Sequence, residues 1–195
     1  MTFEFPSLGE PLPIELANTR YVEGDEVVDF LAPTGASEAW FAQLPTAAGI
    51  GPLGPIDDDG RALLAELRDA VRALIDAVVD GVVPAADDVA VVNTRAGTGA
   101  PIAGELTWSA EVGGFAVEPG AADGDLDAAL ARLALDTIAL LTGPDAGRLR
   151  RCAAPDCRML FVRHHHRRRW CHESCGHRLR QARYYRRRTG GAASS

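Results

Sequence analysis

Four cysteines carry the chemistry of this chain most plainly, and all fall in the last quarter of its 195 residues. Four residues separate Cys152 from Cys157, three separate Cys171 from Cys175, and thirteen lie between the pairs. Two short-spaced thiol pairs a dozen or so residues apart supply a tetrahedral zinc site with two ligands from each of two turns. Four thiolates leave no open position for water, so one such zinc is structural, not catalytic. His172 and His177 flank the second pair and could replace one thiolate, although the four thiols are a complete set unaided. His164, His165 and His166 offer a weak second metal site or, more simply, an exposed basic hairpin tip. All five histidines lie at position 164 or later, so the upstream residues hold no histidine base or catalytic triad. Carboxylate catalysis is not excluded there, but nothing singles out a pair; the expectation is that the protein is not an enzyme.

The cysteine-bearing stretch is also where arginine collects. Residues 148–195 hold 14 arginines against two acids, Asp156 and Glu173, a formal charge of +12. Residues 1–147 hold six arginines against 25 acids, a charge of −19, and the net of −7 conceals both. A basic segment on an acidic chain points to a polyanionic partner, double-stranded DNA first. The alternatives are an RNA or protein partner with zinc purely structural; stacking on Trp170, Tyr184 or Tyr185 would favour single strands or RNA. The acidic part is also expected to shield the basic one until a signal releases it.

The elements that must position these groups follow in order. Arg151 to Cys157 is a tight turn in which Pro155 and Asp156 converge two thiolates on one ion. Met159 to Phe161 reads as a short strand, with Arg169-Trp170 returning as its partner. Cys175 opens a last helix reaching about Arg188. Leu179 and Ala182 share a face with Cys175, and Leu160, Phe161, Trp170 and Leu179 are expected to form a miniature core. Arg180, Arg183 and Arg187 recur at helical spacing and line one exposed stripe. With Arg178 on the helix and Arg167, Arg168 and Arg169 on the hairpin, they are the candidate nucleic-acid contacts, since guanidinium forks suit phosphates and guanine edges. Knuckle, hairpin and ligand-bearing helix are the order of a treble-clef zinc finger, expected not to fold without its metal.

Upstream, the pattern predicts an α+β fold, a mostly helical body with one β-hairpin. Leu16 to Arg20 reads as helix or strand, and Glu26 to Leu31 and Ser37 to Leu44 as short helices, Ser37 being the N-cap and Trp40, Phe41 and Leu44 the buried face. Asp57 to Asp59 cap a long amphipathic helix whose apolar face runs from Leu63 to Val78, with Arg61, Arg68, Arg72 and Asp76 on other faces and Gly81 and Pro84 ending it. Ala86 to Val92 is helix or strand. Leu106 to Val112 and Phe115 to Glu118 read as strands joined by a Gly113-Gly114 turn, and Asp123 to Leu141 as a second long helix. Gly97-Thr98-Gly99 faintly suggests a dinucleotide loop but lacks the third glycine and the following helix.

Residues 1–147 therefore read as an acidic α+β domain, a sensor of a small-molecule effector or a dimerisation unit. Residues 148–189 read as the basic finger and 190–195 as a disordered tail. No apolar run approaches the roughly 20 residues of a membrane span. Nor does the N-terminus read as a signal peptide, which leads to a reducing cytoplasm, reduced thiols and no membrane partner. A lone finger reads few base pairs, so sequence-specific binding would call for a homodimer.

Several of these residues fall into a familiar pattern. Cys152-x4-Cys157, Phe161, Arg168-Arg169-Trp170-Cys171 and Cys175-Gly176-His177-Arg178 before a basic helix resemble the CGNR zinc-finger family. Asn18-Thr19-Arg20, Asp29 to Leu31, Trp40 and the helix from Arg61 to Val79 resemble the ABATE domain that precedes such fingers. The resemblance implies a bacterial stress-linked transcription regulator, with the four cysteines as zinc ligands and Arg178 as a motif residue. His177 stands where that motif has asparagine.

Overall fold

The longest helix organises the rest. In the computed structural model, which describes residues 5, 7–23, 26–45, 48–98, 105–109, 114–118, 125–155 and 157–190, this helix, α3, spans Asp58–Asp80. The Asp57 carboxylate caps it by accepting from the Gly60 N–H at 2.8 Å, and Gly81 ends it in the left-handed conformation, φ 67°. Leu64, Leu67, Val71, Leu74 and Ile75 are buried, whereas Val78, expected on the same face, is exposed. Arg68, expected on an outer face, is buried instead. Its charge is balanced by Asp29 at 2.6 Å and Asp69 at 3.0 Å, the pairing that burial of a guanidinium demands.

Around α3 pack α1 (Leu12–Ala17), α4 (Ala86–Thr98) and α5 (Leu126–Thr142). Asp125 caps α5 through the N–H groups of Asp127 and Ala128, and Leu130 and Leu133 are fully buried. The ambiguous Ala86–Val92 stretch is helical and continues through Gly97, so no phosphate loop forms there; Gly99 lies outside the described residues. The short α2 (Ala36–Ala42) starts one residue before Ser37, with Gly35 as its N-cap at φ 79°, while Ser37 is buried inside it.

Two antiparallel hairpins complete the body. Glu26 to Leu31 is not a helix: β2 (Glu26–Asp29) pairs with β1 (Arg20–Glu23), Arg20 opposite Asp29. Two successive valines favour strand there, and the Asp29–Arg68 pair fixes its end against α3. β3 (Glu105–Ser109) pairs with β4 (Gly114–Glu118), Ser109 opposite Gly114. Gly114 therefore belongs to a strand rather than a turn, and the connection, 110–113, lies outside the described residues, as does the tail, 191–195.

The C-terminal part departs from expectation in its pairing. β6 (Leu160–Val162) pairs with β5 (Leu149–Arg151), which precedes the knuckle, not with Arg169-Trp170. Leu149, Leu160 and Val162 join the main core, while Phe161, alternating to the other face, joins the cysteines and Trp170. Leu160 thus leaves the expected miniature core for the body. α6 (Glu173–Gly190) is the last described element.

The outer edge of β6 has no partner strand among the described residues, and four side-chain bonds replace one. The Leu160 N–H donates to Asn18 Oδ1 at 2.9 Å, and Asn18 Nδ2 donates to the Leu160 carbonyl at 3.0 Å. Two residues on, the Val162 N–H donates to Glu10 Oε2 at 2.8 Å, and Arg168 Nη1 donates to the Val162 carbonyl at 3.1 Å. Glu10 and Arg168 close the ring with a 2.6 Å ion pair. Glu15 holds the approach to Glu10 by accepting from the Leu8 and Glu10 N–H groups.

Asn18→Ala strands two buried backbone groups and is expected to cost roughly 3 kcal/mol in urea unfolding. Burial raises the Glu15 pKa above its ordinary 4.5, so the native state holds that proton more tightly than the unfolded chain. The stability it contributes is complete below 4.5 and lost as pH rises through the higher folded value. Glu15→Gln is expected to flatten that slope in unfolding curves taken from pH 4 to 7.

Candidate metal centre

Each thiol is placed by a different local device. Cys152 follows β5, and its N–H donates to the Met159 carbonyl at 2.8 Å, folding the knuckle back on itself. The Cys157 N–H turns in to the Ala154 carbonyl at 3.1 Å. Cys171 precedes α6 and Cys175 lies in its first turn, its N–H bonded to the His172 carbonyl at 3.2 Å. All four are buried, and their Sγ atoms lie within 4.8 Å of one another.

The spacing fits one tetrahedral ion. Cys157 and Cys171 Sγ are 3.7 Å apart, as are Cys171 and Cys175. Four sulfurs at the usual zinc distance of about 2.3 Å sit about 3.8 Å from one another. A disulfide would need about 2.05 Å, and all four cysteines are free. The four thiols are therefore the ligand set of one structural zinc, which supplies the cross-link of a small module.

Without a cation the cluster resists ionising fully. Hydrogen bonds to Cys152 and Cys157, then burial, hold the Cys171 thiol above its ordinary range. Cys157 is pushed up to about 12, chiefly by its hydrogen bond with Cys152, while hydrogen bonds from Cys157 and Cys171 hold Cys152 down at about 2. A divalent cation removes the conflict by deprotonating its ligands outright. The Arg178 guanidinium adds a permanent cation, Nη2 lying 3.2 Å from Cys175 Sγ.

Gly176 permits a close approach. A Cβ there would meet the Trp170 ring at 3.2 Å, so glycine lets the indole lie against the start of α6 and roof the cysteines. The alternative ligands are occupied or remote. His172 is exposed, and its Nδ1 meets Ser174 Oγ at 2.9 Å and accepts from the Ser174 N–H at 3.3 Å, a capping role at the start of α6. His177 and His164 to His166 are exposed, and His165 stacks on His166 at 4.5 Å. Among the described residues, the four thiols are the one cluster of three or more possible ligands.

The arginines divide. Arg167, Arg169, Arg178 and Arg180 are exposed, so the acidic body does not cover them. Arg168, grouped with them by sequence, faces inward. Besides Glu10 it bonds the carbonyls of Val162, Trp170 and Cys171, and its guanidinium lies 4.6 Å from the centre of the Phe161 ring. It is a bracket rather than a contact. Arg183 and Arg187 lie on α6, but their side chains are outside the described residues. Arg151 also turns to the body, to Asp76 at 2.6 Å and Asp80 at 3.1 Å, which raises its own pKa and lowers that of Asp80. Sequence reasoning missed Glu10, Asp76, Asp80 and Arg151. Their only signal is opposite charge in segments far apart in the chain.

A family model for ABATE, described as "Putative stress-induced transcription regulator", matches residues 10–144. A second, the CGNR zinc finger, matches residues 148–188. No curated protein matches the sequence.

Elemental analysis is expected to return one zinc per chain, falling to well below one in Cys171→Ser. Because protons compete for the thiolates, acidification releases the ion. After chelation, hydrogen exchange is expected to show β5 and β6 still protected by the body core while the segment from His165 to Gln181 exchanges freely.

Proposed function

Because the chain belongs to the ABATE family and ends in a CGNR zinc finger, we propose that it is a DNA-binding transcription regulator. One observation carries the reading: the finger's arginines are sorted by direction. Arg151 and Arg168 are bound to body carboxylates, whereas Arg167, Arg169 and Arg180 stand exposed on the zinc-clamped surface. Arginine in a fixed frame suits the phosphate backbone and guanine edges. The zinc is a fastener with no vacant coordination site, so the reading assigns the metal no catalytic part.

In this reading, α6 with Arg178, Arg180, Arg183 and Arg187 meets duplex DNA, flanked by Arg167 and Arg169. The body senses an effector or pairs two copies, since one small finger reads few base pairs. No helix among the described residues is long and apolar enough to cross a membrane, which accords with a cytoplasmic regulator.

Selection from a random duplex library over a salt series tests the reading. With about five phosphates engaged, log affinity is expected to fall with log salt at a slope of roughly −4.5. Arg180→Ala is expected to reduce that slope by about 1, whereas Arg168→Ala lowers thermal stability first. Binding that vanishes with salt and enriches no sequence would overturn sequence-specific recognition and turn attention to an RNA or protein partner.

A further inference from the structure

The seam between body and finger carries a second concentration of cationic groups. A cleft of about 530 Å³ opens where the β1–β2 hairpin, α3 and the cysteine knuckle meet. Four arginines line it: Arg20 from β1, Arg72 from α3, and Arg151 and Arg158 from the finger. Asp76 and Asp80 line it too, so the lining groups carry a formal surplus of +2.

Ion pairs within the fold engage three of these four cations. Arg72 holds Asp76 at 3.0 Å, and Arg151 holds both Asp76 and Asp80, a balanced chain of two cations and two anions. That chain immobilises two guanidinium groups before any ligand arrives, which lowers the entropic cost of binding. Arg20 is half exposed and shares Asp69 with Arg68. Arg158 is exposed, and its guanidinium pairs with no described residue; only its backbone carbonyl is engaged, by Arg72. The rim therefore offers one uncommitted cation, Arg158, and a half-exposed Arg20 beside it, above a fixed floor.

The cleft also has an apolar flank. Val27 is exposed beside it, and the Tyr21 ring, stacked on Phe30 at 5.5 Å, forms a wall. Tyr21 also borders a second cavity, of about 340 Å³, which reaches Arg178 and three of the zinc ligands. A ligand in the cleft therefore touches body and finger together and lies one side chain away from the metal centre.

We propose that this cleft is the effector site of the protein and that it binds a small phosphate monoester. A phosphate monoester presents three acceptor oxygens and close to two negative charges at neutral pH, which suit the forked donors of Arg158 and Arg20. A cleft of this volume lies within the range of small-ligand sites. Bound there, the phosphate joins Arg20 of the body to Arg158 of the finger, and the remainder of the molecule lies along Tyr21 and Val27.

The test uses the zinc-loaded full chain without DNA, so its outcome is independent of the regulator reading. Calorimetric titrations at fixed ionic strength use inorganic phosphate, ribose 5-phosphate and adenosine 5′-monophosphate, with adenosine as the phosphate-free control. Saturable one-to-one binding is expected for the phosphate-bearing probes and not for adenosine. Arg158→Ala removes no side-chain hydrogen bond or ion pair to a described residue, so it is expected to keep its zinc and to weaken binding about tenfold, the worth of one charge-assisted contact. Arg180→Ala is expected to leave binding unchanged. The proposal fails if none of the phosphates saturates, if Arg158→Ala binds as well as the parent, or if Arg180→Ala weakens binding equally. A parallel duplex-DNA titration separates the remaining case: an Arg158→Ala variant that keeps its phosphate binding and changes only the salt dependence of DNA binding gives the cleft to a nucleic-acid backbone and overturns the proposal.

Discussion

A two-stranded ribbon buried on one edge has to satisfy backbone groups that water cannot reach, and the arrangement of this chain turns on how β6 does so. Leu160 and Val162 are fully buried, and the N–H and C=O groups on their outer edge face side chains instead of a third strand. An unpaired buried backbone group costs about as much as a lost hydrogen bond, and there are four of them. Asn18 supplies a donor and an acceptor in one amide, the pattern that a neighbouring peptide would present. Glu10 and Arg168 split the same task between an anion and a cation, then neutralise each other. Those three residues decide where the finger sits, because β6 leads directly from the knuckle that carries Cys152 and Cys157.

The zinc and the edge clamp thus hold the same short segment from opposite faces. Phe161 faces the cysteines and Leu160 and Val162 face the helices, an alternation that follows from the period of two along a strand. Arg168 belongs to both holds, bonding Val162 on one side and the carbonyls of Trp170 and Cys171 on the other. The finger is consequently part of the body's core rather than a bead on a linker. The ion pairs from Arg151 to Asp76 and Asp80 reinforce that seam at the far end of α3.

The zinc ligands were legible in the sequence because their spacing is local and thiols have few other uses in such a pattern. α3 and α5 were legible because aspartate caps and apolar periodicity agree over many residues. The β1–β2 hairpin was not, since four-residue strands carry too little period to distinguish from a helix turn. Arg168 looked like its neighbours Arg167 and Arg169; only a carboxylate 158 positions earlier in the chain, Glu10, sets it apart. Arg68 misled for the same reason, since an arginine on an amphipathic helix is read as outward unless its partner Asp29 is known. The pairing of β6 with β5 instead of Arg169-Trp170 is again a choice between strands, settled by a core to which both contribute.

Rigid attachment of the finger has an electrical consequence. Formal charges of −19 and +12 on two separately charged regions would orient independently if the regions were tethered loosely. Fixed to each other through β6, they make one molecule with a large permanent dipole moment. In the field of any polyanion such a dipole feels a torque as well as a force, so the arginine-bearing end turns to lead the approach and the acidic end trails. Orientation during encounter, ordinarily a random search that slows docking by orders of magnitude, is here partly decided before contact by a short strand and three side chains.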